Sequence, residues 1–219
     1  MGGLLNKDII ILFITKILRM FSFGALSVVF FNVLASKGIE EQQIGFLQSF
    51  VAFGDIVISL ILTTRADKIG RKKTLILGAF LKFFAGIVYA VSDNYIMLII
   101  SGALGVLTVS GGEIGPFLPI EQAAIAHIVE ENTATEEEMK EDVTRAYGYY
   151  NMASYLSQAS GNVACGVYIS WAVDHFGGQR EDYFIQIVYM YAAFGLLKGF
   201  AYCLLSNHIE ADPEKRIAK

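Results

Sequence analysis

Charge is scarce in this chain, and so are the residues that build soluble catalytic centres. Only 17 % of its 219 residues are Asp, Glu, Lys or Arg, and it has three His, two Cys and three Pro. Cys165 and Cys203 give neither a disulfide framework nor a metal-ligand spacing. His127, His175 and His208 fall at or beyond the ends of the apolar runs, and Asp55 has no second Asp at its depth. Neither a nucleophile with its base nor a pair of membrane aspartates can therefore be assembled. A glycine-rich loop ending in Lys-Ser/Thr is missing too, which removes an ATP-driven pump. These absences point away from an enzyme, and no catalytic residue, cofactor, metal or nucleic-acid partner is expected.

What the chain has instead is apolar length. Hydrophobic residues make up 54 % of it and the mean hydropathy is +0.50. They gather in six blocks, about 8–34, 44–64, 74–91, 95–112, 146–173 and 183–205, each near the length that spans the hydrocarbon core of a bilayer. Lipid offers no hydrogen-bond partners, so each block closes its own backbone bonds as a helix. The expected fold is an all-α, multi-pass membrane protein, one domain over 1–219 with six transmembrane helices. The first block is too long for a signal-peptide core and is expected to remain as a signal-anchor helix.

The basic residues set the orientation. With the N-terminus inside, the inner segments carry Lys7, Arg65, Lys68, Arg71, Lys72, Lys73, Lys140, Arg145, Lys215, Arg216 and Lys219, while the outer loops carry only Lys37 and Arg180. This asymmetry predicts that both termini are cytoplasmic. The densest cluster lies in "LILTTRADKIGRKKTLILG", residues 60–78, a short turn between blocks two and three. Anionic headgroups account for such a cluster at roughly 1 kcal/mol per basic residue, but not for its order. Asp67 falls near a helix C-terminus, where the dipole disfavours a carboxylate, so it calls for a local cation. Gly70 permits a tight backbone, and Arg71 offers a planar, permanently charged fork.

Asp67-Lys68-Ile69-Gly70-Arg71-Lys72-Lys73 resembles the signature loop of the major facilitator superfamily, G-x-x-x-D-R/K-x-G-R-R/K, with Thr63 in place of the first Gly. "LRMFSFGALSVVFFNVLASKGI" and "IGFLQSF" look like helices 1 and 2 of that superfamily; "SGGEIGPFLPIEQAAIA" and "AYGYYNMASYL" resemble an uncharacterised branch. The resemblance implies a secondary transporter built from two six-helix halves, each a pair of three-helix inverted repeats, with the solute near the midplane. This chain would be one such half-bundle, its "SNHIEADPEKRIAK" tail opening the linker. The implied partners are the lipid bilayer, a small-molecule substrate and a second six-helix half or a homodimer mate. A non-transporting six-helix protein, a truncated remnant or partner subunit, is the competing reading.

In the family fold, helices 1, 2, 4 and 5 face the cavity. Helix 1 carries Lys16 and Arg19 and helix 2 carries Asp55; Arg19 and Asp55 both fall near mid-membrane, at about 11 and about 9 residues of 1.5 Å rise from the inner ends. An isolated charge there costs at least about 2.5 kcal/mol, so an Arg19–Asp55 pair is expected, either as a structural lock or in substrate or proton coupling. On helix 5, Asn151, Ser154, Gln158 and Asn162 stack into one polar stripe, which either lines the cavity or bonds to neighbouring helices. Ser157, Gly161 and Cys165 beside it have the spacing of a close-packing seam. At the end of helix 4, Glu113 among Gly111, Gly112, Gly115, Pro116 and Pro119 is a gate candidate toward Arg71 or Arg65, or else a solvated interfacial acid. Lys82 and Lys198 are expected to snorkel to the inner surface. The segment 118–145 reads as a cytoplasmic loop with a short amphipathic helix from Ile120 to Glu131 lying on the inner face, then a capping box of Thr135 and Glu138 that, with Glu136 and Glu137, favours the start of another short helix. The Gly-Pro antiporter motif that the resemblance would place in helix 5 is missing, since "SQASGNVACGVYIS" contains no Pro, which weakly disfavours drug export.

Overall fold

In the computed structural model, described over residues 6–105, 107, 115–133 and 135–210, all regular structure among the described residues is helical. The helices are α1 (Lys7–Ser36), α2 (Glu41–Ile69), α3 (Arg71–Val91), α4 (Tyr95–Gly105), α5 (Phe117–Glu131), α6 (Glu136–Phe176) and α7 (Glu181–Cys203), followed by a 3-10 turn at Asn207–Ile209. Four of them, α1, α2, α3 and α7, are long and apolar enough to cross a bilayer, and α4 is an apolar helix of 11 residues. α6 runs for 41 residues, roughly 60 Å at 1.5 Å per residue, and opens on Glu136, Glu137 and Glu138.

The helix ends follow local chemistry. The Asn6 side chain caps α1 by accepting from the Asp8 N–H at 3.0 Å. Glu40 and Gln43 form a reciprocal capping box at the start of α2. Gly70, at φ +112°, ends α2 and starts α3 in a single residue, a backbone that only glycine adopts without strain. Thr135 stands at the N-cap of α6, where its hydroxyl donates to the Glu138 carboxylate at 2.8 Å.

The segment 118–145 contains the amphipathic helix expected at Ile120–Glu131, as α5, and the start of a second helix, α6, while Pro119, Glu130 and Glu131 stay exposed. The apolar stripe of α5, Phe117, Ile120, Ala124, Ile125, Ile128 and Val129, is buried against α1, α3 and α6.

α1 is the central strut. It packs along α6 and α7, α7 packs along α3, and α4 bridges α3 to α2. In the most apolar stretch of each helix, 61 % of the residues of α1 are buried but only 22 % of those of α2, so α2 turns most of its surface away from the bundle. α1 and α6 meet backbone to backbone: a Cβ on Gly24 would stand 2.2 Å from Gln158 O, and one on Gly161 would stand 2.1 Å from Phe21 O. Gly161 thus belongs to a packing seam with Ser157 and Cys165, which are also buried.

The interior is layered. One apolar core joins Ala25, Phe30 and Val33 of α1 to Ala85 and Tyr89 of α3, Cys165 and Ile169 of α6 and Ile187 and Tyr191 of α7. A second joins Ile9 and Leu12 of α1 to Leu75 and Ala79 of α3, Ala146 and Tyr150 of α6, Tyr202 of α7 and the buried face of α5. Between them, on every one of these long helices, sit buried polar residues: Lys16, Arg19 and Ser22 on α1, Lys82 on α3, Ser154 and Ser157 on α6, and Lys198 on α7.

Replacing Gly161 by Leu should force α1 and α6 apart and lower the unfolding free energy by about 3 kcal/mol or more, since overpacking typically costs 1–3 kcal/mol and here the obstacle is backbone. Gly166→Leu on the same helix meets open space and should leave the unfolding midpoint nearly unchanged, as read by circular dichroism in detergent.

Candidate functional site

The centre of the polar layer is a carboxylate with no access to solvent. Glu121 of α5 is 0 % exposed and accepts three short hydrogen bonds: from Arg19 Nη2 at 2.6 Å, from the Tyr150 hydroxyl at 2.6 Å and from the Tyr202 hydroxyl at 2.5 Å. α1, α5, α6 and α7 therefore meet on one side chain. A buried charge is tolerable only when its counter-charge and remaining lone pairs are matched, and this cage supplies both. Lys16, also on α1, stands 4.7 Å from the Tyr150 ring centroid.

Arg19 is paired with Glu121, whereas Asp55 was the partner expected from the sequence. Asp55 is fully buried and accepts from Ser59 Oγ, one turn along α2, at 2.8 Å. The geometric reason is that α1 packs along α6 and α7 and only lightly against α2, while the start of α5 comes down beside Arg19.

Lys82 and Lys198 do not snorkel. Both point into the bundle, with exposures of 3 % and 0 %. Lys82 Nζ donates to Ser22 Oγ at 3.0 Å and stands 4.2 Å from the centroid of Tyr191. Lys198 Nζ stands 3.2 Å from the centroid of Phe117 and 5.6 Å from that of Tyr202, and among the described residues it has no hydrogen-bond acceptor. The face each lysine shares explains the direction. Lys82 shares its face of α3 with Gly78, Ala79, Ala85 and Gly86, and Lys198 shares its face of α7 with Ala192 and Gly195, the small residues along which these two helices pack.

The stripe on α6 divides. Ser154 is buried and Gln158 half-buried, while Asn151 and Asn162 are exposed. With its amide oriented so that Nδ2 donates, Asn162 bonds Gly24 O of α1 at 2.7 Å and Gln158 O at 3.2 Å, a tie across the α1–α6 seam. Glu113, with Gly111 and Gly112, lies outside the described residues.

The α2–α3 turn is a second polar centre. Arg71 Nε donates to Asp67 Oδ1 at 3.0 Å, which gives that carboxylate the local cation its helix-end position calls for. Arg71 Nη1 reaches further, to Ala123 O of α5 at 3.2 Å and Ile209 O at 3.1 Å. Glu210 accepts from the N–H groups of Arg71 at 2.7 Å and Lys72 at 3.3 Å, so the segment after α7 supplies a carboxylate to the N-terminus of α3. Lys72 Nζ donates to Leu205 O at 2.5 Å, and the Asp8 carboxylate accepts from Ser206 N at 2.8 Å and from its hydroxyl. Gly70 is necessary here twice over, for its positive φ and because a Cβ would stand 3.0 Å from Glu210 Oε1. Lys68 is exposed.

The sequence reading missed Glu121, Tyr150, Tyr202, Glu210 and Asp8. One sign of Glu121 was available: it falls on the apolar face of α5, one turn from both Phe117 and Ile125.

The Major Facilitator Superfamily model matches residues 12–217. Among curated proteins, the chain is 29 % identical over 209 residues to the uncharacterized membrane protein YJR124C of Saccharomyces cerevisiae, covering 94 % of this chain and 44 % of that one. It is 28 % identical over 101 residues to the quinolone resistance protein NorA of Staphylococcus aureus, covering 46 % of this chain and 26 % of NorA. The chain thus spans less than half the length of either relative.

Glu121→Gln should destabilise the bundle by about 3–5 kcal/mol, because it breaks a buried ion pair by removing the carboxylate that Arg19 bonds at 2.6 Å. Tyr202→Phe should cost only about 1–2 kcal/mol, one hydrogen bond to a charged group. The double replacement R19M/E121L should recover much of the loss, all three read from thermal unfolding in one detergent.

Proposed function

Because the chain belongs to the major facilitator superfamily, a family of membrane transporters, we propose that it moves a small solute across a bilayer by alternating access, as one six-span half of a secondary transporter. The observation that carries this reading is the layer of buried charge between two apolar cores, an arrangement costly for a protein that only has to sit in lipid. In this reading α4 and α5 together make the fourth crossing, and α1 to α3 and α4 to α7 form two three-helix repeats related by inverted topology. The basic turn after α2 and both termini face the cytoplasm, a reading supported by the distribution of Lys and Arg.

The second half, whether from a longer form of this chain or from a homodimer mate, docks on the faces that α2 and α6 turn outward. Phe46, Phe50, Phe53 and Leu60 of α2 and Tyr155, Leu156 and Val163 of α6 are exposed there. Arg19, Asp55, Ser154 and Gln158 serve the solute pathway, with Asn151 and Asn162 at its margin on α6. Asp67, Gly70, Arg71 and Lys72, tied to α5 and to the segment after α7, close the inner side, and Glu113 acts there as a gate.

Proteoliposomes containing the protein are incubated with a labelled metabolite extract, washed, and their contents read by mass spectrometry. At least one solute should be enriched over protein-free liposomes, and its uptake should fall at least tenfold in Asp55→Asn. Contents identical to those of empty liposomes would reject transport by this chain on its own.

A further inference from the structure

Among the described residues, two interior lysines have no carboxylate bonded to them. Lys82 and Lys198 are buried on α3 and α7; the first has the Ser22 hydroxyl and the Tyr191 ring, the second only aromatic rings. Glu121, the nearby acid, is already bonded by Arg19, Tyr150 and Tyr202. Aromatic faces attract a desolvated ammonium but do not replace the hydration it gives up, so such a position is costly unless an anion visits it.

The cations converge on one ring. Arg19 Cζ stands 5.0 Å and Lys198 Nζ 3.2 Å from the centroid of Phe117, and within electrostatic reach of Lys198 three cations, Lys82, Arg19 and Lys16, face one acid, Glu121. Phe117 occupies the space between two cations with its electron-rich faces. It is the first residue of α5, directly after Gly115, at φ +139°, and Pro116. Its ring fits only because residue 78 of α3 is glycine: a Cβ there would stand 2.7 Å from Phe117 Cζ. A modest rotation at the Gly115–Pro116 junction would withdraw the ring and leave a pocket walled by Arg19, Lys82 and Lys198.

We infer that this pocket binds a small oxyanion, a carboxylate or phosphate group, and that the Phe117 ring holds the place of that group when the pocket is empty. The inference rests on the transporter reading and gives its solute a chemical class. It assigns a role to residues of α3 and α7, helices otherwise remote from the solute pathway. Arg19 would add the charge of its guanidinium at the edge of the site, and Lys82 and Lys198 would supply point charges to the anion.

The test reads binding without transport. The full chain in phosphatidylcholine nanodiscs is titrated with inorganic phosphate and with succinate at constant ionic strength set by chloride, and the unfolding midpoint is followed. At least one anion should raise the midpoint saturably, and tetraethylammonium should not. Lys198→Met should raise the midpoint of the unliganded protein, because a buried charge is removed, and abolish the anion-dependent rise. Lys82→Met should weaken apparent affinity at least tenfold, Lys198→Arg should retain binding, and Phe117→Leu should strengthen it. No saturable rise with either anion, or an undiminished rise in both Lys198→Met and Lys82→Met, would overturn the inference. A rise produced by phosphatidylglycerol in the nanodisc but by neither free anion would assign the site to lipid and overturn it as a solute site. Anion binding without uptake in proteoliposomes would reject transport by this chain while leaving the oxyanion site standing.

Discussion

The fold depends on a carboxylate that cannot reach water. Glu121 is held by a guanidinium and two phenols contributed by three different helices, so any displacement of α1, α6 or α7 toward lipid would strip it of a partner. Inside a bilayer that loss is not compensated by solvent, and the cage therefore fixes the relative depth of four helices as apolar packing cannot. Apolar packing does the complementary work. The two cores flank the layer on either side, and the glycine contacts between α1 and α6 bring those two backbones into direct contact.

The polar layer and the α2–α3 turn are joined through α5. Its first turn places Phe117 against Arg19 and Lys198, its second places Glu121 in the cage, and the carbonyl of Ala123 accepts from Arg71. A shift of α5 would disturb both centres at once. Arg71 also holds Ile209, and Glu210 caps α3, so the turn carrying the family's signature residues is fastened to the stretch that follows the last helix. The alternating access proposed above would use α5 as the element that couples these two centres.

Much of this was legible in the sequence. Block length gave the helical membrane class, and the order of Asp67, Gly70 and Arg71 gave the family before any coordinate. Six crossings were expected, and four helices meet the length and hydropathy of a span, because α4 is short and α6 carries serine, asparagine and glutamine among its apolar residues. Within 118–145 the amphipathic stripe from Ile120 and the capping residues Thr135 and Glu138 marked two helices, found as α5 and the start of α6, but a stripe specifies a buried face without saying what buries it, so the helices that α5 meets were not legible. The Arg19–Asp55 pairing failed because depth was matched without knowing which helices touch, and the true partner is 102 residues away on α5. Lys82 and Lys198 were judged by distance from a helix end, but the small residues on the same face of α3 and α7 already marked that face as packed.

The central claim is that the polar layer is part of a solute pathway rather than a dry lock between helices. The most direct measurement is thiol accessibility at Ser154, which lies in that layer, using S154C in a background with Cys165 and Cys203 replaced by Ala. A small water-soluble methanethiosulfonate is applied to oriented vesicles from each side. The account predicts labelling at position 154 from at least one side, and no labelling of native Cys165, in the apolar core, under the same conditions. Protection of position 154 from both sides would contradict it and make the buried charges purely structural.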